Sequence, residues 1–207
     1  MKLFYPHSQQ DPNKRTCSAH CLQMVYEHRN LSVPVDEIIS NVFQFYLSDY
    51  SQKVCALKNL SLDAQSRGFS SFSASIKDPL PFFSLCLENN IDVIINLWTE
   101  DLKDAHSIVL TGIDDHGIYT NDPLFTAKKG MNRFISAASL FQRMQSRPDT
   151  LIPMSNTVTI IYDESKFSLE DLTLAHGSKS HCMSIPSLLI PHLSFVLCSK
   201  HDYWMPL

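Results

Sequence analysis

The sequence predicts an α+β fold, with helices in the first half and an antiparallel sheet in the second. Three observations predict it. Apolar residues recur at helical spacing between residues 17 and 89. From Val93 onward they form continuous or alternating runs of strand length. The chain has 207 residues, 44% hydrophobic and 18% charged, which suits one globular domain with a sizeable core. Helices and strands segregated along a chain point to α+β rather than to alternating βα units.

Residues 1–15 predict an extended entry segment, because Pro6, Pro12 and Asn13 disfavour helix. Thr16 offers an N-cap for a helix over 17–28. Cys17, Cys21, Met24, Val25 and His28 share one face of it, so this helix runs through the core. Asp36 caps a second predicted helix to Leu47. A third runs over 52–66 and stops at Gly68. Residues 69–76 alternate as a short strand, and 79–89 carry a helical stripe of Leu80, Phe83 and Leu87.

Val93–Trp98 is an unbroken apolar run, the pattern of a buried strand. A hairpin follows over 106–123, turning at Asp114–Gly117. Phe134 and Ile135 predict a short strand, 137–146 a helix, and 157–162 a strong strand. Residues 163–207 are rich in Ser, His, Leu and Pro without periodicity. They predict an irregular C-terminal extension packed on a domain of residues 1–162.

Charge narrows the function. A net charge of −4 gives no broad field for nucleic acid or an acidic membrane. The basic pairs Lys14–Arg15 and Lys128–Lys129 read as solvated faces. The opening residues carry no secretory h-region, and no apolar run is long enough to span a bilayer; 188–197 is short and broken by Pro191. A cytoplasmic location is expected. Cys17, Cys21, Cys55 and Cys86 fall on predicted helices and match no disulfide framework, so the six cysteines are expected to be reduced.

Chemistry concentrates in three places. A free thiol has a pKa near ~8.5 and is mostly protonated at neutral pH. Cys17 at a helix N-terminus gains from unpaired N–H groups and a partial positive charge. His106, if its strand lies across from that helix, can take the proton. Asp122, sixteen residues later across the hairpin, can orient the imidazole; Asn121 is the alternative, and since neighbours on a strand face opposite ways only one can serve. The oxyanion of acyl transfer needs donors. The Cys17 N–H is one, and Gln9 or Gln10 can be the second.

The segment from Cys17 to Val25 resembles the nucleophile helix of the double-glycine leader peptidases, papain-like domains that process bacteriocins. That helix typically reads Cys-Gly-x-Ala-Cys-Leu-x-Met and then an aliphatic residue. The segment from His106 to Pro123 looks like their His–Asp hairpin, and 57–69 like their helix before Gly-aromatic. The resemblance spans residues 4–162. It implies a papain-like cysteine protease fold with Cys17 as nucleophile, His106 as general base and acid, Asp122 as orienting acid and Gln10 as oxyanion donor. It implies a peptide or protein substrate. Pro6–Gln10 additionally resembles the related guanylyl-cyclase-domain family. A bacterial protein, including one delivered into another cell, fits the resemblance. The chain departs from the pattern with Ser18 for Gly, Thr16 for an acid, and a glutamine one residue further from the cysteine.

The expected function is therefore a cysteine peptidase or amidase working through a thioester acyl-enzyme. An acyltransferase or transpeptidase would use the same triad, with an amine replacing water. A papain-fold binding module without catalysis is the alternative that the residues flanking Cys17 motivate. No cofactor or metal is expected, for lack of a Gly-rich phosphate loop or paired carboxylates. His181, Cys182, Cys198 and His201 are of zinc-ligand type, but their spacing matches no common finger. A protein partner at the C-terminal extension is a further expectation.

Overall fold

The computed structural model describes residues 2–46, 53–55, 57–145 and 156–165. Its frame is a six-stranded antiparallel sheet with helices on both faces. The helices are α1 (Cys17–His28), α2 (Val35–Val42), α3 (Leu57–Ser66), α4 (Pro79–Glu88), α5 (Ala127–Gly130) and α6 (Ala137–Met144). The strands are β1 (Phe43–Tyr46), β2 (Lys53–Cys55), β3 (Ser70–Ser75), β4 (Asp92–Trp98), β5 (Ala105–Asp114), β6 (Gly117–Asn121), β7 (Arg133–Ser136) and β8 (Thr157–Tyr162). The main sheet has the order β3-β8-β4-β5-β6-β7, and β1 pairs with β2 separately.

Alternation along the central strands builds two cores. Val93, Ile95, Leu97, Ile108 and Leu110 pack with α4 and α6 through Phe83, Leu87, Leu140 and Met144. Ile94, Val109 and Ile161 join the other core with α1, α2 and α3 through Leu22, Val25, Ile38 and Leu60. Every residue of β4 is buried because both of its faces are covered, which is why it reads as a continuous apolar run.

Most expected elements stand where they were predicted, with four corrections. The second helix starts after Pro34, not at Asp36, and ends at Val42 instead of Leu47. Phe43–Tyr46 leaves the helix to pair with Lys53–Cys55, so the third helix starts at Leu57 and Cys55 lies on a strand. The Phe-Gln-Phe-Tyr run suits either period, and pairing with a partner strand selects β. Thr16 takes the N-cap position without a side-chain capping bond; its carbonyl accepts from Ala19 and His20 instead. The short helix α5 has no counterpart in the sequence pattern. Gly68 ends α3 as expected, at φ +88°, a conformation open to glycine. The C-terminal extension, except 163–165, and the zinc-type residues His181, Cys182, Cys198 and His201 lie outside the described residues.

The entry segment is bound to the sheet. Lys2 bridges Gly112, and the Leu3 N–H donates to Thr111 O at 2.6 Å. Further along, Tyr5 donates to Asp92 Oδ1 at 2.5 Å. Asp92 is fully buried and also binds His28 Nδ1 at 3.0 Å and Arg29 Nε at 2.5 Å. This cluster ties the entry segment, the end of α1 and the start of β4. Removing a buried carboxylate strands all three of its partners. Asp92→Ala is expected to lower stability by about 3–5 kcal/mol, read from urea unfolding. A loss under about 1 kcal/mol would mean that the cluster is not a clamp.

Candidate active site

Three chain segments converge at one end of the sheet. The first is the N-terminus of α1 with Cys17. The second is the start of β5 with His106. The third is the segment after β6 with Asp122. The β5–β6 register places Val109 opposite Asn121, so Asp122 is a diagonal neighbour of His106. His106 Nε2 binds Asp122 Oδ1 at 2.7 Å. Its other ring nitrogen, Nδ1, is left for the Cys17 thiol, which lines the same cavity and interacts electrostatically with the imidazole. All three side chains are nearly buried.

Asn121 makes no hydrogen bond to His106. Its side chain donates to Tyr5 O and accepts from the Asn132 N–H, so it holds the entry segment and the β7 approach. Asp122 is held on every side. Oδ1 also accepts from the Leu124 N–H at 3.0 Å, and Oδ2 accepts from Arg133 at 3.2 Å. Its N–H donates to Gly130 O at 2.9 Å. A Cβ on Gly130 would lie 2.5 Å from Asp122 O and 2.7 Å from His7 Cε1. Only glycine lets α5 approach this closely.

The electrostatics form an ion-pair pattern. Burial pushes the Cys17 thiol up, but the hydrogen bond and charge of His106 outweigh it and bring the thiol below its ordinary value. Burial pushes His106 down, and its bonds to Asp122 and Cys17 carry it the other way, up to about 10. Burial also raises Asp122, while His106, the Leu124 N–H and Arg133 bring it below the usual carboxylate range. Cys21 lies one turn further along α1, and burial holds it well above an ordinary thiol. The same is true of Cys86. Cys17, Cys21 and Cys86 are unbridged.

Gln10 and Gln9 part company. Gln9 is exposed, whereas Gln10 is buried and lines a cavity of about 510 Å³ together with Cys17, His106 and Asp122. Its N–H donates to Pro123 O at 2.9 Å, stitching the entry segment to the loop after Asp122. Its Nε2 donates to Lys14 O at 3.0 Å, and its buried Oε1 meets no donor among the described residues. Ser18 donates to Ser107, whose own hydroxyl is spent on Asn96 Oδ1. The serine after the cysteine is thus a rivet between α1 and β5. Sequence reasoning missed Arg133 and Arg143, both on the cavity wall.

A second serine–histidine contact, Ser8 Oγ to His20 Nδ1 at 2.7 Å, is not a second nucleophile. Gln23 Nε2 donates to Val33 O, which fixes its Oε1 as the acceptor of the Ser8 proton. His20 must then donate to Ser8 and cannot act as its base. Among the described residues no group of three or more acidic, histidine or cysteine side chains could hold a metal ion, and no helix is long and apolar enough to cross a membrane.

The model of the Peptidase_C39 like family matches residues 2–146. The chain belongs to that family. Its fold is accordingly that of the papain-like cysteine peptidases, and it is a cysteine peptidase by family. Solved structures share the fold of this Peptidase_C39-like chain at low identity. One is a double-glycine-motif protease from an AMS/PCAT transporter in complex with its leader peptide, at 17% identity and TM-score 0.52, covering 77% of this chain and 92% of that one. Another is the peptidase domain of Streptococcus ComA, a bifunctional ABC transporter involved in quorum sensing, at 14% identity and TM-score 0.55, covering 77% and 99%. A third is a Bacillus anthracis protein described as a C39-like peptidase, at 14% identity and TM-score 0.58, covering 76% and 94%. No curated protein sequence matches the chain.

Proposed function

We propose that the chain cleaves a peptide or amide bond through a Cys17–His106–Asp122 triad and a thioester acyl-enzyme. One observation carries this reading: His106 is bonded on one side to Asp122 and shares the cavity wall with Cys17 on the other, with the thiol shifted down and the imidazole up. That is the signature of a thiolate–imidazolium pair.

The thiolate attacks the scissile carbonyl carbon, and the carbonyl electrons move to oxygen. The Cys17 N–H stands at the first position of α1, where Thr16 supplies no side-chain cap. Gln10 has a second amide hydrogen beyond the one given to Lys14 O. These two donors stabilise the oxyanion. Collapse expels the amine, which takes the proton of His106. Water then attacks the thioester, its proton passes to His106, and the released thiolate restores the pair. Oε1 of Gln10, which has no donor among the described residues, would accept an N–H from an extended peptide. A peptide substrate agrees with the leader peptide bound by the double-glycine protease of the same fold.

Intact-mass analysis after brief exposure to iodoacetamide at about pH 6 tests the reading. One fast adduct, mapped to Cys17, is expected, because only a thiol paired with an imidazole is ionised to a useful extent at that pH; Cys21 and Cys86 are held protonated by burial. Slow labelling with no preference for Cys17 would leave a binding module in place of an enzyme.

A further inference from the structure

The cavity holds a cation that has no counter-ion among the described residues. Arg143, in the last turn of α6, is only 4% exposed. Its Nε donates to Trp98 O at 2.7 Å, which anchors the guanidinium. The four N–H donors on its two terminal nitrogens have no hydrogen bond or ion pair among the described residues. Arg133 on the same wall differs: it is engaged by Glu100 and by Asp122. The carboxylates that influence Arg143 most, Glu100 and Asp122, are therefore already held by another arginine, and neither lies within ion-pair distance of Arg143.

A desolvated guanidinium without an anion is costly, and an arginine does not escape by losing its proton. Its fork matches a carboxylate in bidentate geometry. Arg143 lines the same cavity as Cys17, His106 and Gln10, so an anion seated on it would belong to whatever fills the active site. We propose that Arg143 is the anion-recognition group of this cavity, and that the preferred substrate carries a carboxylate beside its scissile bond. The inference rests on the thiol-peptidase reading and adds the substrate's charge to it. The carboxylate is either an acidic side chain or the C-terminus of the peptide.

Two alkylating reagents test it without knowledge of the natural substrate. Iodoacetate and iodoacetamide share a leaving group and nearly a shape; only the first is an anion. The ratio of the iodoacetate rate to the iodoacetamide rate at Cys17 is expected to fall at least about fivefold in Arg143→Gln. Arg143→Lys keeps the charge and should keep most of the ratio. An unchanged ratio in Arg143→Gln overturns the proposal. A Cys17 inert to both reagents in the wild type overturns the thiolate reading itself, so the two failures are distinct.

A second measurement needs no variant and stands even if Arg143→Gln does not fold. Wild-type cleavage is compared across paired peptides with Glu or Gln, and Asp or Asn, on either side of the scissile bond, each with a free or amidated C-terminus. A preference for acid over amide at one position supports a side-chain carboxylate. A preference for the free terminus supports the terminal one. Equal kcat/KM across all pairs overturns the proposal.

Discussion

His106→Ala is expected to slow alkylation of Cys17 at pH 6 by about 10- to 100-fold and to cut peptide turnover by a further ~10²–10⁴-fold. The first factor comes from thiolate population. An unassisted thiol near ~8.5 is only about 0.3% ionised at pH 6, whereas the hydrogen bond and charge of His106 bring Cys17 below its ordinary value despite burial. A less basic thiolate is also a weaker nucleophile, which returns part of the gain. The second factor is the loss of the acid that protonates the leaving amine. Cys17→Ala must remove the fast adduct and the turnover together. The two variants separate what a shared defect in folding would not. His106→Ala keeps a thiol that still reacts at alkaline pH, where the imidazole is no longer needed to ionise it. Intact mass across a pH series reads the difference. Equal alkylation rates in His106→Ala and wild type at pH 6 would show that His106 does not activate the thiol.

Sequence patterns pointed to the candidate site where local geometry dictates the placement of its residues. A cysteine after Thr16 and before an apolar stripe marks the start of a helix. His106 and Asp122 follow from strand alternation around one tight turn, where Asp114 accepts the N–H groups of His116 and Gly117. Gln9 and Gln10 could not be told apart because the entry segment has no period; the bond from Gln10 to Pro123 O joins parts of the chain more than a hundred residues distant. Arg133 and Arg143 lie on β7 and α6, whose placement depends on long-range pairing. Arg143 did leave a trace, since it falls on the stripe of Leu140 and Met144, where a buried face should be apolar. The strand at Phe43–Tyr46 was hidden because its aromatic residues continue the spacing of the helix before it. Ser18, which departs from the family's glycine, is explained by Ser107 on β5, a partner 89 residues away.

Asp122→Asn is expected to move the pH profile more than it lowers the maximum rate. Reaction needs the thiolate and the imidazolium together. The rate rises as the depressed Cys17 thiol ionises, stays high while His106 keeps its proton, and falls as that proton leaves near pH 10. Both limbs belong to the coupled pair rather than to either residue alone. Removing the Asp122 charge weakens the imidazolium, so the alkaline limb should move toward acid by at least about one pH unit. The acid limb should move up, because a less charged imidazole helps the thiolate less. The asparagine carbonyl still accepts from His106 Nε2 and from the Leu124 N–H, so kcat is expected to fall about 10- to 100-fold, against ~10²–10⁴-fold for Asp122→Ala. The new amide nitrogen would stand where Oδ2 accepts from Arg133, donor against donor. Arg133→Leu should therefore cost less in the Asp122→Asn background than in the wild type, a non-additivity that a double-mutant cycle measures. An alkaline limb that stays in place in Asp122→Asn would mean that the Asp122 charge does not sustain the imidazolium.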